Sequence, residues 1–439
     1  MALMPGPPVA TIAPARRCAY TVLRRVFERG AYADEALQAE ADGLDARDRA
    51  LAMRLSYGAV QRKGTLDHLI GQLAERPPAR LDPPVLAALR LGLFELLYLD
   101  GSPDYAVVAD AVELAKTQSR AGHGLVNAVL RRAAREGPDA LLGELSDDTP
   151  ERAAIKHSHP EWIARLWWQT LGAEPARALM AYDNEPGEVS LRANTLVTDA
   201  SALAAQLPVR THGDPNIPEA LVLEEPLDVH GSALWRAGAF LAQSRAAMLV
   251  AHSLAPRAGE RVLDLCAAPG GKSTHLAALM QGRGEVVAVE RNRSRAGALA
   301  RTAQRLRAGN IRVEIADAAR WPTSDRLEDT APFDRVLVDP PCSGLGTLQA
   351  RADLRWRVTP AAIEEMAGTQ AAILATGAAA LRPGGVLVYS TCTISPAENE
   401  RLIDVFLDSH PDFRLDDLAE TLPHRDHTAG FYIARLSRS

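Results

Sequence analysis

The sequence contains few cysteines and no long apolar run, and both absences restrict the class of protein. Only four cysteines occur in 439 residues, which is too few for a disulfide framework and favours a reducing compartment with selected reactive thiols. No run of about 18 uncharged apolar residues is present, so no membrane-spanning helix is predicted. The N-terminus is interrupted by proline and lacks the apolar core of a signal peptide. We therefore expect a short disordered lead and a cytoplasmic protein without a membrane partner.

An excess of positive charge and a metal-binding pattern are also missing. The net charge of −6 argues mildly against a nucleic-acid partner, although it leaves room for a local basic face. His157 and His159 have no cysteine or carboxylate cluster at ligand spacing, so we interpret them as structural and predict no metal. The oligomeric state is left open, with a monomer as the expectation.

Apolar periodicity divides the chain into three predicted segments. Residues 1–145 show apolar residues at helical spacing, which predicts an all-helical domain. Residues 146–258 mix short helices and strands and predict a small linking α/β subdomain. Residues 259–439 alternate apolar runs with helices, which is typical of a parallel sheet covered on both faces. The predicted strands are 261–266, 285–290, 311–317, 335–339 and 385–392. A capping box at Ser395-Pro396-Ala397-Glu398 predicts a helix start after the last strand.

Chemical motifs follow these predicted strands. Asp264-Leu-Cys-Ala-Ala-Pro-Gly-Gly-Lys272 leaves the first strand and opens a helix, a position where such sheets bind ligands. Its spacing is not that of a phosphate-binding P-loop. Glu290 ends the second strand, where a carboxylate can accept hydrogen bonds from ribose hydroxyls. Asp317 ends the third and is a candidate for binding an adenine amino group. Their occurrence at one sheet edge predicts a nucleoside ligand.

Two cysteines occur at the same edge of the sheet. The fourth strand runs into Asp339-Pro-Pro-Cys-Ser-Gly344 and the fifth into Tyr389-Ser-Thr-Cys-Thr393. A single cysteine in a strand is usually a buried packing residue. A pair at the ligand-binding edge, one of them preceded by Asp-Pro-Pro, favours a chemical role for Cys342 and Cys392.

Together, DLCAAPGGK, DPPCSGLGT and YSTCT resemble the RNA cytosine-5 methyltransferases, with a Rossmann-like catalytic domain that uses S-adenosylmethionine. The resemblance implies that Cys392 is the nucleophile, that Cys342 assists product release, and that Asp339 acts on the base. A thiolate must add to carbon 6 before carbon 5 of cytosine can accept a methyl group. Neighbouring positive charge from Lys272 would favour that thiolate, and a protonated Asp339 could serve at N3. The implied cofactor site comprises Cys266, Ala267, Ala268, Pro269, Gly270, Gly271, Lys272, Glu290, Asp317 and Asp339.

The first segment contains RRCAYTVLRRVF and GLVNAVLRR, which resemble the NusB family of RNA-binding helical domains. With this segment the chain is similar to the bacterial Fmu/Sun (RsmB) type, which modifies small-subunit ribosomal RNA. The resemblance implies RNA binding near the first helix. Two sets of residues are candidates for RNA contact: Arg16, Arg17, Arg24 and Arg25 in that helix, and Arg351, Arg355, Trp356 and Arg357 after the Pro-Cys motif. A solvated charged face and a surface loop with one packed Trp are the alternatives.

Two local departures from the family pattern and two rival functions remain. Gln243-Ser244 stands where the family has Gln-Asp, and Ala429-Gly430-Phe431-Tyr432 stands where it has Asp-Gly-Phe-Phe. One rival is a non-catalytic RNA-binding or ribosome-assembly factor, which has no need of Asp339 and the two cysteines. The other is a cytosine-5 methyltransferase that acts on transfer RNA or DNA.

Overall fold

The helical spacing of the first segment and the strand-helix alternation of the last are both present in the folded chain. The computed structural model describes residues 12–119, 121–322 and 332–439, and the predicted disordered lead lies mostly outside them. The chain divides into two compact units. One extends to Glu185 and includes Arg351–Arg357; the other comprises Pro186–Ala350 and Val358–Ser439. The predicted linking segment, 146–258, is thus shared between the two.

The described residues of the first unit form helices and connecting loops, with no strand among them. Its seventh helix contains Gly137 in a non-helical conformation. Its helices are α1 (Pro14–Arg29), α2 (Ala33–Glu40), α3 (Ala46–Gln61), α4 (Lys63–Leu73), α5 (Pro83–Tyr98), α6 (Asp104–Gln118), α7 (His123–Gly143), α8 (Pro150–Lys156), α9 (Glu161–Leu171) and α10 (Ala173–Tyr182).

Most arginines of α1 form ion pairs with carboxylates of their own unit. Arg16 lies 2.6 Å from the buried carboxylate of Glu95 and bonds a second carboxylate on α6. Arg24 and Arg25 are paired with glutamates, whereas Arg17 is exposed. The prediction that Arg16 contacts RNA is therefore wrong, because its guanidinium is a structural ion pair between helices.

The Arg351–Arg357 segment forms part of the interior of this helical unit. Arg355 is completely buried and donates to the carbonyl of Ser158 and the side chain of Asn184, both at 3.0 Å. Trp356 donates its indole N–H to the carbonyl of Val60. The prediction of RNA contact is wrong for Arg355, and Trp356 is the packed tryptophan of the alternative interpretation.

The second unit contains two sheets. The smaller is antiparallel in the order β2-β3-β1-β4, and the larger has seven strands in the order β10-β11-β9-β8-β5-β6-β7. Strands β5 to β9 are parallel, and β10 and β11 extend that sheet in antiparallel fashion. The strands are β1 (Ser190–Ala193), β2 (Thr211–Asp214), β3 (Ile217–Leu223), β4 (Phe240–Ala242), β5 (Arg261–Leu265), β6 (Glu285–Val289), β7 (Ile311–Glu314), β8 (Phe333–Val338), β9 (Leu381–Thr391), β10 (Phe413–Thr421) and β11 (Phe431–Arg438).

Helices cover both faces of the large sheet, as continuous apolar strands require. Alternate residues of β5 face opposite sides: Leu263 packs in one core with residues of α16, and Val262 packs in another with residues of α13 and α14. The helices of this unit are α11 (Ala200–Ala204), α12 (Ala233–Arg236), α13 (Arg245–Leu254), α14 (Gly271–Leu279), α15 (Arg293–Arg305), α16 (Pro360–Ala380), α17 (Glu400–Ser409) and α18 (Pro423–Asp426).

Candidate active site

The topology of the large sheet identifies where a ligand can bind. From β5 the chain proceeds outward to β6 and β7 on one side, and then returns to β8 and β9 on the other. In open parallel sheets, ligands bind beyond the carboxyl ends of the strands at the point where the order reverses. The loops that leave β5, β8 and β9 carry the Gly-Gly motif, the Pro-Cys motif and the Thr-Cys motif respectively.

The loop after β5 is held in a shape that only its own residues allow. Cys266 has φ of +70°, and Gly270 has φ of +100°. A Cβ added at Gly270 would lie 2.6 Å from the side chain of Leu299, so any other residue at position 270 would be strained and would clash. The loop is closed at its base because Ser273 donates to Oδ2 of Asp264 at 2.6 Å. The backbone N–H groups at the start of α14 are thereby fixed at the sheet edge.

Asp264 is an unusual residue within this loop. It is almost fully buried, and its Oδ1 atom has no hydrogen-bond partner. Burial, opposed by the Ser273 hydrogen bond, raises its pKa to about 7. The sequence motif places Asp264 at the strand end without a role of its own, and a buried acceptor without a donor marks it as part of the site.

The two carboxylates that the sequence assigns to a nucleoside differ in their surroundings. Glu290 directly follows β6, is 3% exposed, and accepts the backbone N–H of Asn292 at 2.8 Å. Asp317 is exposed and caps the 3-10 turn Ala318–Arg320 by accepting the N–H of Ala319 at 3.1 Å. Strand β7 ends at Glu314, three residues earlier than predicted, so Asp317 lies in the following loop.

Lys272 and Asp339 form an ion pair between the segments that follow β5 and β8. The Nζ atom of Lys272 lies 2.6 Å from Oδ2 of Asp339, and the hydroxyl of Ser390 donates to Oδ1 at 2.9 Å. Burial lowers the pKa of Lys272, but the charges of Asp339 and Cys392 outweigh it, so the pKa of Lys272 is raised. The ammonium of Lys272 and the hydroxyl of Ser390 therefore surround one carboxylate, that of Asp339.

The two motif cysteines meet in the structure. Their Sγ atoms are 3.3 Å apart, within hydrogen-bond distance for thiols, and both residues are partly buried and free of disulfides. The hydrogen bond to Cys392, together with burial, raises the pKa of Cys342 well above its ordinary value. Cys342 therefore retains its proton and can donate a hydrogen bond to the sulfur of Cys392. Cys266 is separate from this pair, and burial raises its pKa to about 12, which makes it an unreactive thiol.

A buried polar network behind the cysteines was missed at the level of sequence. Glu398 is completely buried; its Oε1 atom accepts the backbone N–H of Ser343 at 2.8 Å and the amide of Gln370 at 3.0 Å. Its Oε2 atom accepts the hydroxyl of Ser343, which also contacts the hydroxyl of Thr393 at 2.6 Å. The predicted capping box is wrong, because α17 begins at Glu400. The only hint in the sequence was the polar run Glu398-Asn399-Glu400, which follows the Thr-Cys motif closely.

Comparisons with known proteins identify the family to which the chain belongs. Three family models match in order: the NusB family at residues 13–135, a ferredoxin-like domain of RsmF/B-like methyltransferases at 159–230, and the 16S rRNA methyltransferase RsmB/F at 251–437. A probable ribosomal RNA small subunit methyltransferase B of Synechocystis is 36% identical, over 97% of this chain and 99% of the relative. The chain belongs to the RsmB/F methyltransferase family.

Further relatives share the same architecture. A ribosomal RNA small subunit methyltransferase B of Thermus thermophilus is 36% identical over 89% of each chain. The crystal structure of the protein PH0851 has a TM-score of 0.81 and 26% identity, covering 98% of this chain and all of that one. The predicted fold is confirmed: a NusB-like helical domain, a small α/β subdomain and a Rossmann-like methyltransferase domain. Among the described residues, no helix has the length and apolarity needed to span a lipid bilayer.

The two departures from the family pattern are accommodated locally. Ser244 caps α13, because its hydroxyl oxygen accepts the N–H of Ala247 at 3.3 Å, a task that an aspartate performs equally well. In the C-terminal motif, the N–H of Gly430 donates to the carbonyl of Gly346 at 2.7 Å, and a Cβ on Gly346 would lie 2.1 Å from the Gly430 oxygen. The loop bearing Cys342 is therefore seated directly on this turn.

One cluster in the second unit has the residue types of a metal site. Both His252 and His275 direct Nε2 at Oε1 of Glu219, at 2.7 and 2.5 Å. Zinc with ligands at about 2.0–2.2 Å in a tetrahedron separates them by roughly 3.3 Å. The observed spacing is that of hydrogen bonds, so the three side chains form a hydrogen-bonded triad.

Proposed function

We propose that this enzyme transfers a methyl group from S-adenosylmethionine to carbon 5 of a cytosine in small-subunit ribosomal RNA, with Cys392 as nucleophile. The observation that carries the proposal is the 3.3 Å approach of Cys342 and Cys392 beside the Lys272–Asp339 ion pair. A thiol nucleophile, a second thiol beside it and a carboxylate at one sheet edge are the groups that covalent methylation of carbon 5 needs.

The loop residues fit the methyl donor. Cys266 to Lys272 would line its site, with Glu290, Asp317 and Asp339 completing it. The unpaired Oδ1 atom of Asp264 provides a polar partner at the sheet edge. Gly270, whose missing Cβ would meet Leu299, lets α15 pack against the loop that presents its backbone N–H groups to the donor. When bound, S-adenosylmethionine supplies the electrophilic methyl group that carbon 5 receives.

Cys392 begins the reaction by adding to carbon 6 of the base. Its thiolate is favoured by the nearby Lys272 ammonium and by the hydrogen bond that Cys342 donates. The addition places electron density at carbon 5 and requires a proton at N3 of the ring. In the proposed step the proton that Cys392 loses passes to N3 through the carboxyl group of Asp339, which then accepts a hydrogen bond from the new N3–H group.

Cys342 completes the reaction by supporting release. After methylation, a base removes the carbon 5 proton and the bond between carbon 6 and Cys392 breaks. Cys342 lies next to the departing sulfur and keeps its proton, so its S–H group can donate a hydrogen bond to the thiolate that forms on Cys392. Without this thiol, the leaving sulfur is poorly stabilised and the covalent adduct persists.

The RNA substrate is supported by the relatives and by the helical domain. Proteins named for small-subunit ribosomal RNA methylation match over nearly the full chain, and Arg17 remains exposed on α1 for phosphate contact. We propose three functional segments, 1–145, 146–258 and 259–439. The first two contain the NusB and ferredoxin-like matches, and the RsmB/F match at 251–437 begins eight residues before the third. A ribosomal RNA substrate implies action in the cytoplasm.

The test compares two cysteine variants with a third as control. Cys392→Ala should abolish 5-methylcytosine formation in ribosomal RNA, and Cys342→Ala should accumulate a protein–RNA adduct on denaturing gels. Cys18→Ala, which removes a buried thiol of the first unit, should retain activity. An adduct that requires Cys342 and not Cys392 would reverse the roles. Mapping 5-methylcytosine in ribosomal and transfer RNA with the gene present and deleted identifies the substrate, and no donor binding would favour a non-catalytic factor.

A further inference from the structure

Each cysteine of the pair lies one residue away from the same buried carboxylate network. Ser343 follows Cys342 in the chain, and its N–H and hydroxyl both donate to Glu398. Thr393 follows Cys392, and its hydroxyl is 2.6 Å from that of Ser343. Glu398 thus joins the peptide after the first thiol to the residue after the second.

A second connection runs through the neighbouring residue. Asn399 accepts the hydroxyl of Thr391 at 2.6 Å and donates to the carbonyl of Thr393 at 3.0 Å. Because Thr391 and Thr393 precede and follow Cys392, its backbone is held on both sides. The amide of Gln370 on α16, which also donates to the carbonyl of Pro341, anchors Glu398 to the sheet-covering helix.

We propose that Glu398 is a positioning residue that sets the separation of the two thiols. The inference rests on the proposed function, in which Cys342 must reach the sulfur of Cys392 at release. Glu398 is completely buried and contacts neither sulfur, so it acts through the two loops. A reacting group must be held within about 0.5 Å of its productive position, which buried hydrogen bonds on its backbone achieve.

The network requires a carboxylate and not merely a side chain of that length. Glu398 accepts hydrogen bonds from Ser343 and Gln370 and donates none. A carboxylate has only acceptor sites, whereas an amide of the same shape presents two N–H donors. Glu398→Gln would place N–H₂ donors where Oε2 now accepts the hydroxyl of Ser343. The Ser343 and Thr393 hydroxyls would then have to reverse their hydrogen bonds, in a place where water cannot compensate.

The experiment compares Glu398→Gln with Glu260→Gln in the full-length protein. Glu260 is another hydrogen-bonded carboxylate of this unit, and it is ion-paired with Arg335 at the opposite end of the strands. Each variant is assayed for kcat, for KM of donor and RNA, and for alkylation of the two thiols by iodoacetamide without RNA. Glu398→Gln should lower kcat about 100-fold with little change in either KM. It should also lower the preference for alkylating Cys392 over Cys342 about tenfold.

The control and a second variant separate positioning from loss of stability. Glu260→Gln should keep the wild-type kcat and thiol selectivity, even if its melting temperature falls. Ser343→Ala leaves the backbone N–H bond in place, so it should lower kcat less than Glu398→Gln and add little to it in the double variant. If Glu398→Gln does not fold, Ser343→Ala alone must change thiol selectivity.

Two outcomes would overturn the inference. One is a folded Glu398→Gln protein with wild-type kcat and wild-type thiol selectivity; the other is a change in stability alone. Failure of the proposed function is distinguishable, because alkylation needs neither RNA nor donor. If wild-type protein forms no 5-methylcytosine but Glu398→Gln still alters thiol selectivity, the positioning role stands and the proposed reaction does not.

Discussion

Burial of Asp264 makes the stability of the methyltransferase domain depend on pH in a direction opposite to that of most carboxylates. Its pKa in the folded protein is about 7, compared with an ordinary value of 3.8. Between these two values the folded chain holds a proton that the unfolded chain has released, so stability falls as pH rises towards 7. From pH 5 to pH 8 this one group should cost about 3 kcal/mol of unfolding free energy.

Asp264→Asn removes the charge and should remove that pH dependence. The amide can still accept the hydroxyl of Ser273, but its N–H₂ occupies the position without a partner, at a cost of about 1–3 kcal/mol that does not vary with pH. The difference in unfolding free energy between variant and wild type should therefore shift by about 3 kcal/mol in favour of the variant between pH 5 and pH 8. Urea unfolding at both pH values measures this difference.

A matched variant distinguishes burial from charge removal in general. Asp334 has its pKa lowered, with burial outweighed by hydrogen bonds from Arg261 and Arg382, so it is ionised in both states from pH 5 upward. Asp334→Asn should change stability by the same amount at pH 5 and pH 8. Asp183, which is also buried with a pKa of about 7, is present in every protein compared and cancels. Parallel curves for Asp264→Asn and wild type would refute the reasoning.

Three further substitutions test other parts of the structure. Gly270→Ala should weaken donor binding, measured by calorimetry, and lower the free energy of unfolding by about 1–3 kcal/mol, measured in urea. The control is Gly309→Ala, because a Cβ at that position meets nothing within 4 Å. Equal effects of the two substitutions would contradict this prediction. Arg16→Ala should destabilise the helical unit by about 3–5 kcal/mol, because it leaves Glu95 buried without its partner. Arg17→Ala should instead weaken RNA binding at unchanged melting temperature, and an unchanged affinity would exclude that contact.

The strands and their motifs could be predicted because the relevant information is local. Parallel strands buried on both faces are continuously apolar, and β5, β6 and β8 fall within two residues of their predicted bounds. Their chemistry-bearing residues converge because carboxyl ends of parallel strands share one edge. Strand β10 was missed since its sequence is largely polar and exposed, and only pairing with β11 makes it a strand.

The arginines show where local information ends. Arg16 and Arg17 are adjacent and chemically identical, yet one is the partner of a buried glutamate 79 residues away and the other is exposed. Arg355 bonds Ser158 and Asn184, which are more than 170 residues distant. A charged run in a sequence carries no record of such partners, so it cannot separate nucleic-acid contacts from structural ion pairs.

The misplaced helix start after Cys392 has the same origin and an energetic explanation. A capping box would direct Glu398 at the N–H of Ser395, a bond whose loss costs about 1 kcal/mol. The N–H and hydroxyl of Ser343 are buried, and leaving them without an acceptor would cost about 1–3 kcal/mol each. Glu398 therefore bonds Ser343, and α17 begins later, at Glu400. A motif that is typical of a helix end is here used to hold two catalytic loops together, and only the position of Ser343 in space decides between the two uses.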